Sequence, residues 1–492
     1  MTAILALDQG TTGSTALVVR QDGHVIGRGY REFTQYFPEP GWVEHDPLEI
    51  LRVSLEAMRE AVAQGGVRPS ALGITNQRET VVLWDRRTLA PVARAIVWQD
   101  RRTAARCREL RELGLEPMIR SRTGLVCDPY FSATKLEWLL RDANLRAAAE
   151  RGDIAAGTVE SWLVARLTGG LHVSDHTNAS RTLLYGLAAR GWDDELLGLF
   201  SVPRAMLPEI VPSAGVLGDV REEHLGFRLP IAGLAGDQQS ALFGQGCTRT
   251  GMAKNTYGTG AFLLVHAGDT VPQPAPGLLG TAACGPAGEP AYALEGSVFI
   301  AGAAIQWLRD GLGVIATAAE TQALAMSVGD TGGVAFVPAF VGLGTPHWEA
   351  EARGTITGIT RGTTRAHLVR AAVESIAYGT ADLLRAVTES SALDVPVLRV
   401  DGGAAANDFL MQFQADLLGV PVERPAMLET TALGAAALAG IATGVWSSVE
   451  ELRGSDGIRR FEPAIGADER AARVRSWERA VHAALAWARY RA

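Results

Sequence analysis

The stretch LALDQGTTGSTALVV, at residues 5–19, constrains the fold more than any other part of this chain. Its first apolar run ends at a single acid, Asp8, and a turn of glycines and threonines leads into a second apolar run. A further turn at residues 21–23 precedes another strand-like segment at residues 24–30. We therefore predict that the chain opens with three consecutive strands joined by tight turns.

Helical and strand patterns alternate after this opening. Residues 45–66, HDPLEILRVSLEAMREAVAQGG, predict a helix that Asp46 caps, that begins at Pro47, and whose apolar positions 48, 51, 55, 58 and 62 share one face. Two short strands, near residues 71–75 and 80–84, then flank a polar segment. Such alternation is typical of an α/β layered fold.

A fainter copy of the opening pattern occurs in mid-chain. NTYGTGAFLLV, at residues 255–265, is again a Gly-Thr turn followed by an apolar strand, and the glycine-rich residues 236–251 precede it. Duplication predicts two related α/β halves joined near residues 245–254. Chance similarity of two short turns explains the echo equally well.

Composition excludes several classes of protein. The 492 residues are 47% hydrophobic and 20% charged, which predicts a globular chain of more than one domain, and the net charge of −8 argues against a nucleic-acid partner. The four cysteines are scattered, without a C-x-x-C pair, and the longest small or apolar run, residues 432–442, is too short to cross a bilayer. We expect a soluble, cytoplasmic protein with no integral membrane segment.

Three sites in the first half have residues suited to ligand binding or catalysis, and each also has a purely structural interpretation. Asp8 could hold Mg²⁺ while Thr11 and Thr12 donate to phosphate, or the turn could satisfy only its own backbone. Arg78 and Glu79 could both face one small polyol, or form a solvated ion pair. Asp237, after the apolar residues 231–235, could accept the proton of an attacking hydroxyl, or cap the next helix.

Two glycine-containing segments lie in the second half. The turn Asp401-Gly402-Gly403 ends a strand, and Asn407 is placed to cap the helix that follows. Gly302, in ALEGSVFIAGAAIQWLRD, leaves room for a flat ring, although tight turns and close helix packing also use such glycines. The order of a threonine turn, a mid-chain acid and a late Gly-Gly turn suits an ATP site in a cleft between two similar halves.

Longer motifs connect these sites. ALDQGTTGS, GWVEHDP, GITNQRET, IVWQDRRT, DPYFSATKLEW, AGDQQSALFGQ, GMAKNTYGTG and VDGGAAANDFLMQFQADLLG resemble the FGGY family of carbohydrate kinases, and in particular its glycerol-phosphorylating branch. The resemblance runs from about Ala3 to Trp487. It implies an α/β fold of two ribonuclease-H-like domains, of the actin-like ATPase type, flanking a central cleft. We divide the chain into residues 1–246, with the glycerol site and phosphate turn, and residues 247–492, with the adenine-nucleotide site.

The resemblance also implies the reaction and its residues. ATP with Mg²⁺ would phosphorylate glycerol to sn-glycerol 3-phosphate, with Asp237 as general base and Asp8 at the metal. The residues implied for glycerol are Arg78, Glu79, Trp98, Tyr130, Asp237, Gln238 and Phe262. Those implied for the nucleotide are Thr11, Thr12, Ser14, Thr259, Gly302, Gln306, Gly403 and Asn407. Relatives form homodimers or homotetramers, and we expect one of these.

The chain departs from the family pattern in a few places. Thr15 stands where many relatives have an arginine, which removes one possible phosphate contact. The segment REEHLGFRLP lacks the glycine-rich basic loop that binds a sugar bisphosphate inhibitor in some members, and we expect His224 within it to be a surface histidine. His347 and Glu349 replace the tyrosine and aspartate that relatives often have.

Two other functions compete with glycerol phosphorylation. One is phosphorylation of another polyol or sugar, such as xylulose, in the same fold. The other is a non-catalytic, nucleotide-gated module that passes a domain motion to a protein partner. A dehydrogenase is disfavoured because no G-x-G-x-x-G follows the first strand.

Overall fold

The computed structural model describes residues 2–349, 351–391, 393–454 and 457–490. Two mixed β-sheets, one of six strands and one of seven, form the centre of the molecule. The strands are β1 Ala3–Gln9, β2 Gly13–Arg20, β3 Val25–Glu32, β4 Glu44–His45, β5 Ala71–Asn76, β6 Val82–Asp85, β7 Ala95–Ile96, β8 Ile154–Gly157, β9 Val173–Asp175, β10 Tyr185–Gly186, β11 Gly191–Trp192, β12 Glu209–Val211, β13 Ala214–Val220, β14 Leu229–Gly236, β15 Ala253–Tyr257, β16 Ala261–Gly268, β17 Leu279–Cys284, β18 Pro290–Val298, β19 Ala335–Val337, β20 Thr355–Thr357, β21 Leu398–Asp401, β22 Val422–Arg424 and β23 Arg459–Phe461.

Helices cover both sheets. They are α1 Pro47–Gly65, α2 Ala104–Glu112, α3 Glu116–Thr123, α4 Ser132–Leu139, α5 Ala143–Glu150, α6 Val159–Thr168, α7 His176–Ala179, α8 Asp194–Leu199, α9 Glu222–Leu225, α10 Asp237–Gly244, α11 Gly302–Asp310, α12 Glu320–Met326, α13 Arg365–Ser390, α14 Asp408–Leu418, α15 Thr430–Ala442, α16 Val449–Arg453 and α17 Ala467–Arg489, with 3₁₀ turns at Arg204–Met206 and Gly403–Ala406. Within the described ranges, none of the helices combines the length and apolar character that crossing a bilayer requires.

The two sheets share one strand arrangement. In the first, β3, β2 and β1 are antiparallel neighbours, and β5 and β14 continue parallel to β1. In the second, β18, β16 and β15 are antiparallel, and β21 and β22 continue parallel to β15. The predicted opening of three strands is confirmed, and the echo at residues 255–265 is the same turn in the second sheet. The boundary between residues 246 and 247 stays a prediction.

Helix α1 follows its predicted bounds, with one error in its buried face. Asp46 caps the helix by accepting from the Leu48 backbone N–H, and Gly66 ends it in the left-handed conformation. Leu48 is 47% exposed, so the predicted apolar stripe is wrong there. The helix lies directly on β3, where a Cβ at Gly29 would lie 2.1 Å from the Ala57 carbonyl oxygen, and this close approach fixes which side of the helix is buried.

Helices α10 and α15 pack together between the sheets. Each follows the last parallel strand of its half, after β14 and β22 respectively. A Cβ at Gly434 would lie 1.9 Å from the Ser240 carbonyl oxygen, and one at Gly244 would lie 2.2 Å from that of Thr430. The glycines therefore let the two helix backbones touch. Because Asp237 opens α10, this packing places it at the junction of the two sheets.

Candidate active site

The candidate site begins where the parallel strands of the first sheet end. Asp8, Thr75 and Ala235 are direct neighbours across β1, β5 and β14, and Asp237 follows two residues after Ala235. The carboxyl ends of parallel strands are the usual location of ligands in open α/β sheets. The structure therefore brings Asp8 and Asp237 to one edge, and burial, reinforced by the charge of Asp237, raises the pKa of Asp8 to about 7.

A buried array of two arginines and two glutamates joins the halves of the chain. The Arg78 guanidinium binds Glu295 through two hydrogen bonds of 2.6 and 3.1 Å. Arg181 donates to Glu79 at 2.7 Å and to Glu295 at 3.0 Å. At most 2% of any of these four side chains is exposed, so the alternative of a solvated Arg78–Glu79 pair is wrong.

Burial and the neighbouring arginines shift the pKa values of the two glutamates in opposite directions. Burial acts to raise the pKa of Glu295, but Arg181 and Arg78 outweigh it and lower that pKa to about 2. For Glu79 burial prevails over both arginines, and its pKa is raised. Glu79 also has a left-handed backbone, with φ of 61°, and such strain in a residue other than glycine is characteristic of functional sites.

Asp237 lies at the mouth of this array. Its carboxylate accepts from the Gln238 backbone N–H at 2.7 Å and lies 3.2 Å from Nε of Arg78. Gly236, not Asp237, is the N-cap residue of α10, so the reading of Asp237 as a plain helix cap is wrong. The Asp237 side chain is 30% exposed, and it can therefore meet a ligand while Arg78 holds it in place.

Aromatic side chains stand beside the Arg78–Glu79 segment. Trp98 and Tyr130 meet edge to face with ring centroids 5.5 Å apart, and the Trp98 indole donates to the Thr11 hydroxyl at 2.9 Å. Burial raises the pKa of Tyr130, which keeps its phenol neutral. Phe262 lies on β16, opposite Thr256 of β15. The side chains of Trp98, Tyr130 and Phe262, which we call the aromatic wall, contact the opening turn through Trp98.

Three predicted nucleotide segments of the second half meet around one turn. The Ala301 and Gly302 backbone N–H groups donate to the carbonyls of Thr259 and Gly258 at 2.8 and 3.0 Å. Gly402, at φ of 85°, lies so close that a Cβ there would be 2.4 Å from the Tyr257 carbonyl oxygen. A Cβ at Gly403 would meet open space, and Gln306 is exposed. Thr259, Gly302 and Gly403 therefore share one surface.

Two predicted nucleotide residues are otherwise engaged. The Ser14 hydroxyl is fully buried and lies 3.0 Å from that of Ser54, so it is directed toward α1. The Asn407 side chain caps α14, as predicted, by accepting from the Leu410 N–H, and it donates to Thr321 at 3.1 Å. Thr11 and the exposed Thr12 remain at the surface of the turn.

The unusual Thr15 sits between Asp8 and Tyr30 in the sheet. Tyr30 is 44% exposed, and its ring lies so close to Gly13 that a Cβ there would be 2.8 Å away. The cross-strand neighbour of Thr15 on β3 is therefore a phenol. His224, by contrast, is part-buried in α9 and lies 3.1 Å from the Arg166 carbonyl oxygen, so the expected surface histidine is partly enclosed.

The residues at the strand ends fit a magnesium ion that shares its coordination with phosphate. Within the described residues no group of three or more His, Cys, Asp or Glu side chains could hold a metal. The negative charge of Asp237 acts on Asp8 and contributes to raising its pKa. The Thr75 hydroxyl beside Asp8 is buried and has no hydrogen-bond partner among the described residues. Mg²⁺ bound to ATP typically takes one or two protein carboxylates and keeps its waters, and this donor set suits that arrangement.

Three charged residues of the site have no role predicted from the sequence. They are Arg181 in TNASRT, Lys254 in GMAKNTYGTG and Glu295 in ALEGSVF. Each is a charged residue in a small or apolar segment, and charged side chains are rarely buried unless they are paired. A charged residue in such a segment indicates a buried ion pair or hydrogen bond. It does not indicate the partner, which lies more than 100 residues away for Arg181 and Glu295.

Glu160 is a buried glutamate that contacts Asn76, the last residue of β5, and its raised pKa leads to a testable prediction. It accepts from Asn76 at 3.0 Å and from the hydroxyls of Thr158 and Ser174 at 2.6 Å each, and burial raises its pKa from 4.5 to about 7. A raised carboxyl pKa contributes stability that is complete below pH 4.5 and is lost as the pH rises through about 7. From pH 5 to 8, we expect wild type to lose about 2–3 kcal/mol more unfolding free energy than Glu160→Gln. Urea titrations at both pH values measure this, and parallel pH profiles would contradict it.

Both halves of the chain match known protein families, and relatives match nearly its full length. The N-terminal domain of the FGGY family of carbohydrate kinases matches residues 3–244, and the C-terminal domain of that family matches residues 253–443. Glycerol kinase 2 of Thermotoga maritima is 54% identical, and a glycerol kinase of Aromatoleum aromaticum is 56% identical, each match covering 99% of both chains.

Solved structures agree. The crystal structure of Plasmodium falciparum glycerol kinase with ADP superposes with a TM-score of 0.93 at 35% identity, covering 99% of this chain and 98% of the other. The predicted two-domain α/β fold of the actin-like ATPase type is confirmed. On sequence and on fold, the chain is a member of the FGGY family of carbohydrate kinases.

Proposed function

We propose that this chain transfers the γ-phosphoryl group of ATP to glycerol, giving sn-glycerol 3-phosphate and ADP. The observation that carries this proposal is the position of Asp237, a part-exposed carboxylate that Arg78 holds beside a buried polar array. A small, fully hydroxylated substrate needs donors and acceptors already aimed at it, because water competes for every hydroxyl. Arg78, Glu79 and Gln238 supply both kinds of group, while Trp98, Tyr130 and Phe262 cover the carbon skeleton.

Asp237 acts as the general base. Its carboxylate accepts the proton of the attacking glycerol hydroxyl as that oxygen bonds to the γ-phosphorus and the bond from phosphorus to the ADP oxygen breaks. Arg78 keeps the carboxylate oriented through the 3.2 Å contact. Bound at Asp8, Mg²⁺ would neutralise phosphate charge. We place the nucleotide between the turn of Thr11 and Thr12 and the shared surface of Thr259, Gly302 and Gly403, with Gln306 at its margin. The side chains of Ser14 and Asn407 bond within the protein instead.

The proposed domain boundary separates the part of the chain that binds the polyol from the part that binds the nucleotide. We place the boundary between residues 246 and 247, with the polyol site and phosphate turn before it and the nucleotide surface after it. Motion of one half against the other would exclude water from the transfer. A homodimer or homotetramer in the cytoplasm remains our expectation, and sedimentation analysis tests the assembly.

A substrate panel separates glycerol from larger polyols. We expect kcat/KM for glycerol to exceed that for xylulose, ribitol and gluconate, since the Arg78–Glu79 pair and the aromatic wall leave room for a short chain. Steady-state ADP release with each compound at saturating ATP measures the ranking. A higher kcat/KM for xylulose would replace glycerol with a pentulose as the substrate.

A further inference from the structure

Lysine is almost absent from this chain, and both copies are buried. Of the 46 Lys and Arg residues, only Lys135 and Lys254 are lysine, and neither side chain is exposed. Lysine is ordinarily a surface residue. Arginine serves at every other basic position, whereas these two sites hold a compact ammonium with three donors in place of a planar, forked guanidinium.

Lys254 binds three oxygens, one on the first turn of α10 and the others on β15 and β16. Its ammonium donates to the Gln238 side-chain carbonyl at 2.5 Å, to the Thr256 hydroxyl at 2.8 Å and to the Phe262 carbonyl at 3.4 Å. Among the described residues, all three of its hydrogen-bond acceptors are uncharged oxygens. Burial lowers its pKa to about 8, against the attraction of Asp401, so the charge is retained at neutral pH.

An ammonium fixes the direction of a glutamine amide. The amide has one accepting end and one donating end, and an ammonium can only donate. Lys254 therefore holds the Gln238 oxygen toward β15 and turns the NH₂ group away from it. That NH₂ group has no partner among the described residues, whereas the neighbouring Gln239 donates to Thr281 at 3.0 Å.

We infer that Lys254 is a positioning residue that fixes Gln238 as a hydrogen-bond donor to a hydroxyl oxygen of the polyol substrate. The inference rests on the proposed function and refines it, because it assigns Gln238 a donor role and the substrate an acceptor at that point. Lys135 offers a parallel that does not involve Gln238: its ammonium donates to the carbonyls of Pro129, Tyr130 and Phe131 at 2.8, 2.7 and 3.1 Å.

A double-mutant cycle tests the inference. We expect Lys254→Met to raise KM for glycerol about tenfold while KM for ATP stays within about twofold, because the Gln238 amide is free to turn. In the Gln238→Leu background Lys254→Met should add no further rise, since its effect passes through Gln238. Lys135→Met is the matched control, and its effect on KM should persist unchanged in that background.

Gln238→Glu covers the case in which Lys254→Met does not fold. Its carboxylate still accepts from Lys254 but has no N–H, so KM for glycerol should also rise about tenfold. Additive effects of Lys254→Met and Gln238→Leu, or a wild-type KM in Gln238→Glu, would overturn the inference. Wild-type protein without glycerol-dependent turnover would instead overturn the proposed function, and isothermal titration with glycerol then shows whether the polyol binds at all.

Discussion

Asp237→Asn should lower kcat by about 10²–10⁴-fold while the protein stays folded and still binds glycerol. The amide keeps the size of the side chain and can still contact Arg78, but it cannot accept the proton of the attacking hydroxyl. Stopped assays of ADP formation measure kcat, and isothermal titration measures glycerol binding.

Asp142→Asn is the matched control for this substitution. Asp142 is the N-cap of α5, where asparagine caps as well as aspartate, so kcat should not change. If Asp237→Asn retained kcat within about threefold of wild type, proton acceptance by Asp237 could not be part of the rate-determining step, and another base would have to be sought.

Glu295→Gln should destabilise the protein by about 3–5 kcal/mol, because it removes one of the two buried carboxylates that balance the charges of Arg78 and Arg181. Glu295 lies on β18 and Arg78 follows β5, so the pair bridges the two sheets. We therefore expect unfolding of the variant to begin with separation of the halves. Denaturant titration followed by tryptophan fluorescence measures the free energy.

A surface acid provides the comparison. Glu56 pairs with Arg52 at 2.8 Å on the solvent side of α1, and Glu56→Gln should cost less than about 1 kcal/mol because water screens exposed pairs. Equal free energies of unfolding for Glu295→Gln and Glu56→Gln would show that the array contributes nothing special to stability.

Local pattern was enough to predict several residues that the fold brings together in the candidate site. Asp8, Arg78 and Asp237 each stand at the end of an apolar strand, and strand ends can be recognised from the change of composition alone. The turn repeated at residues 255–265 likewise indicated a second sheet, which the strand order confirms. The capped helices α1 and α14 were predictable because a cap is a contact between near neighbours.

Long-range pairing was not predictable from the residues. Arg78 and Glu295 are 217 residues apart, and no local feature of either segment identifies the other as its ion-pair partner. The plainer reading of Arg78 and Glu79 as a solvated pair was wrong for this reason: only tertiary structure shows that Glu295 and Arg181 replace the water. Leu48 was misplaced because the approach of α1 to the glycines of β3, not helical spacing alone, decides the buried face.

The sharpest test of the central claim is the stoichiometry of ADP release in the presence and absence of glycerol. Purified protein with Mg²⁺ and ATP should release ADP only when glycerol is added, with one sn-glycerol 3-phosphate formed for each ADP. ADP release that is the same with and without glycerol, and that yields inorganic phosphate, would contradict the account and favour a nucleotide-gated module that hydrolyses ATP.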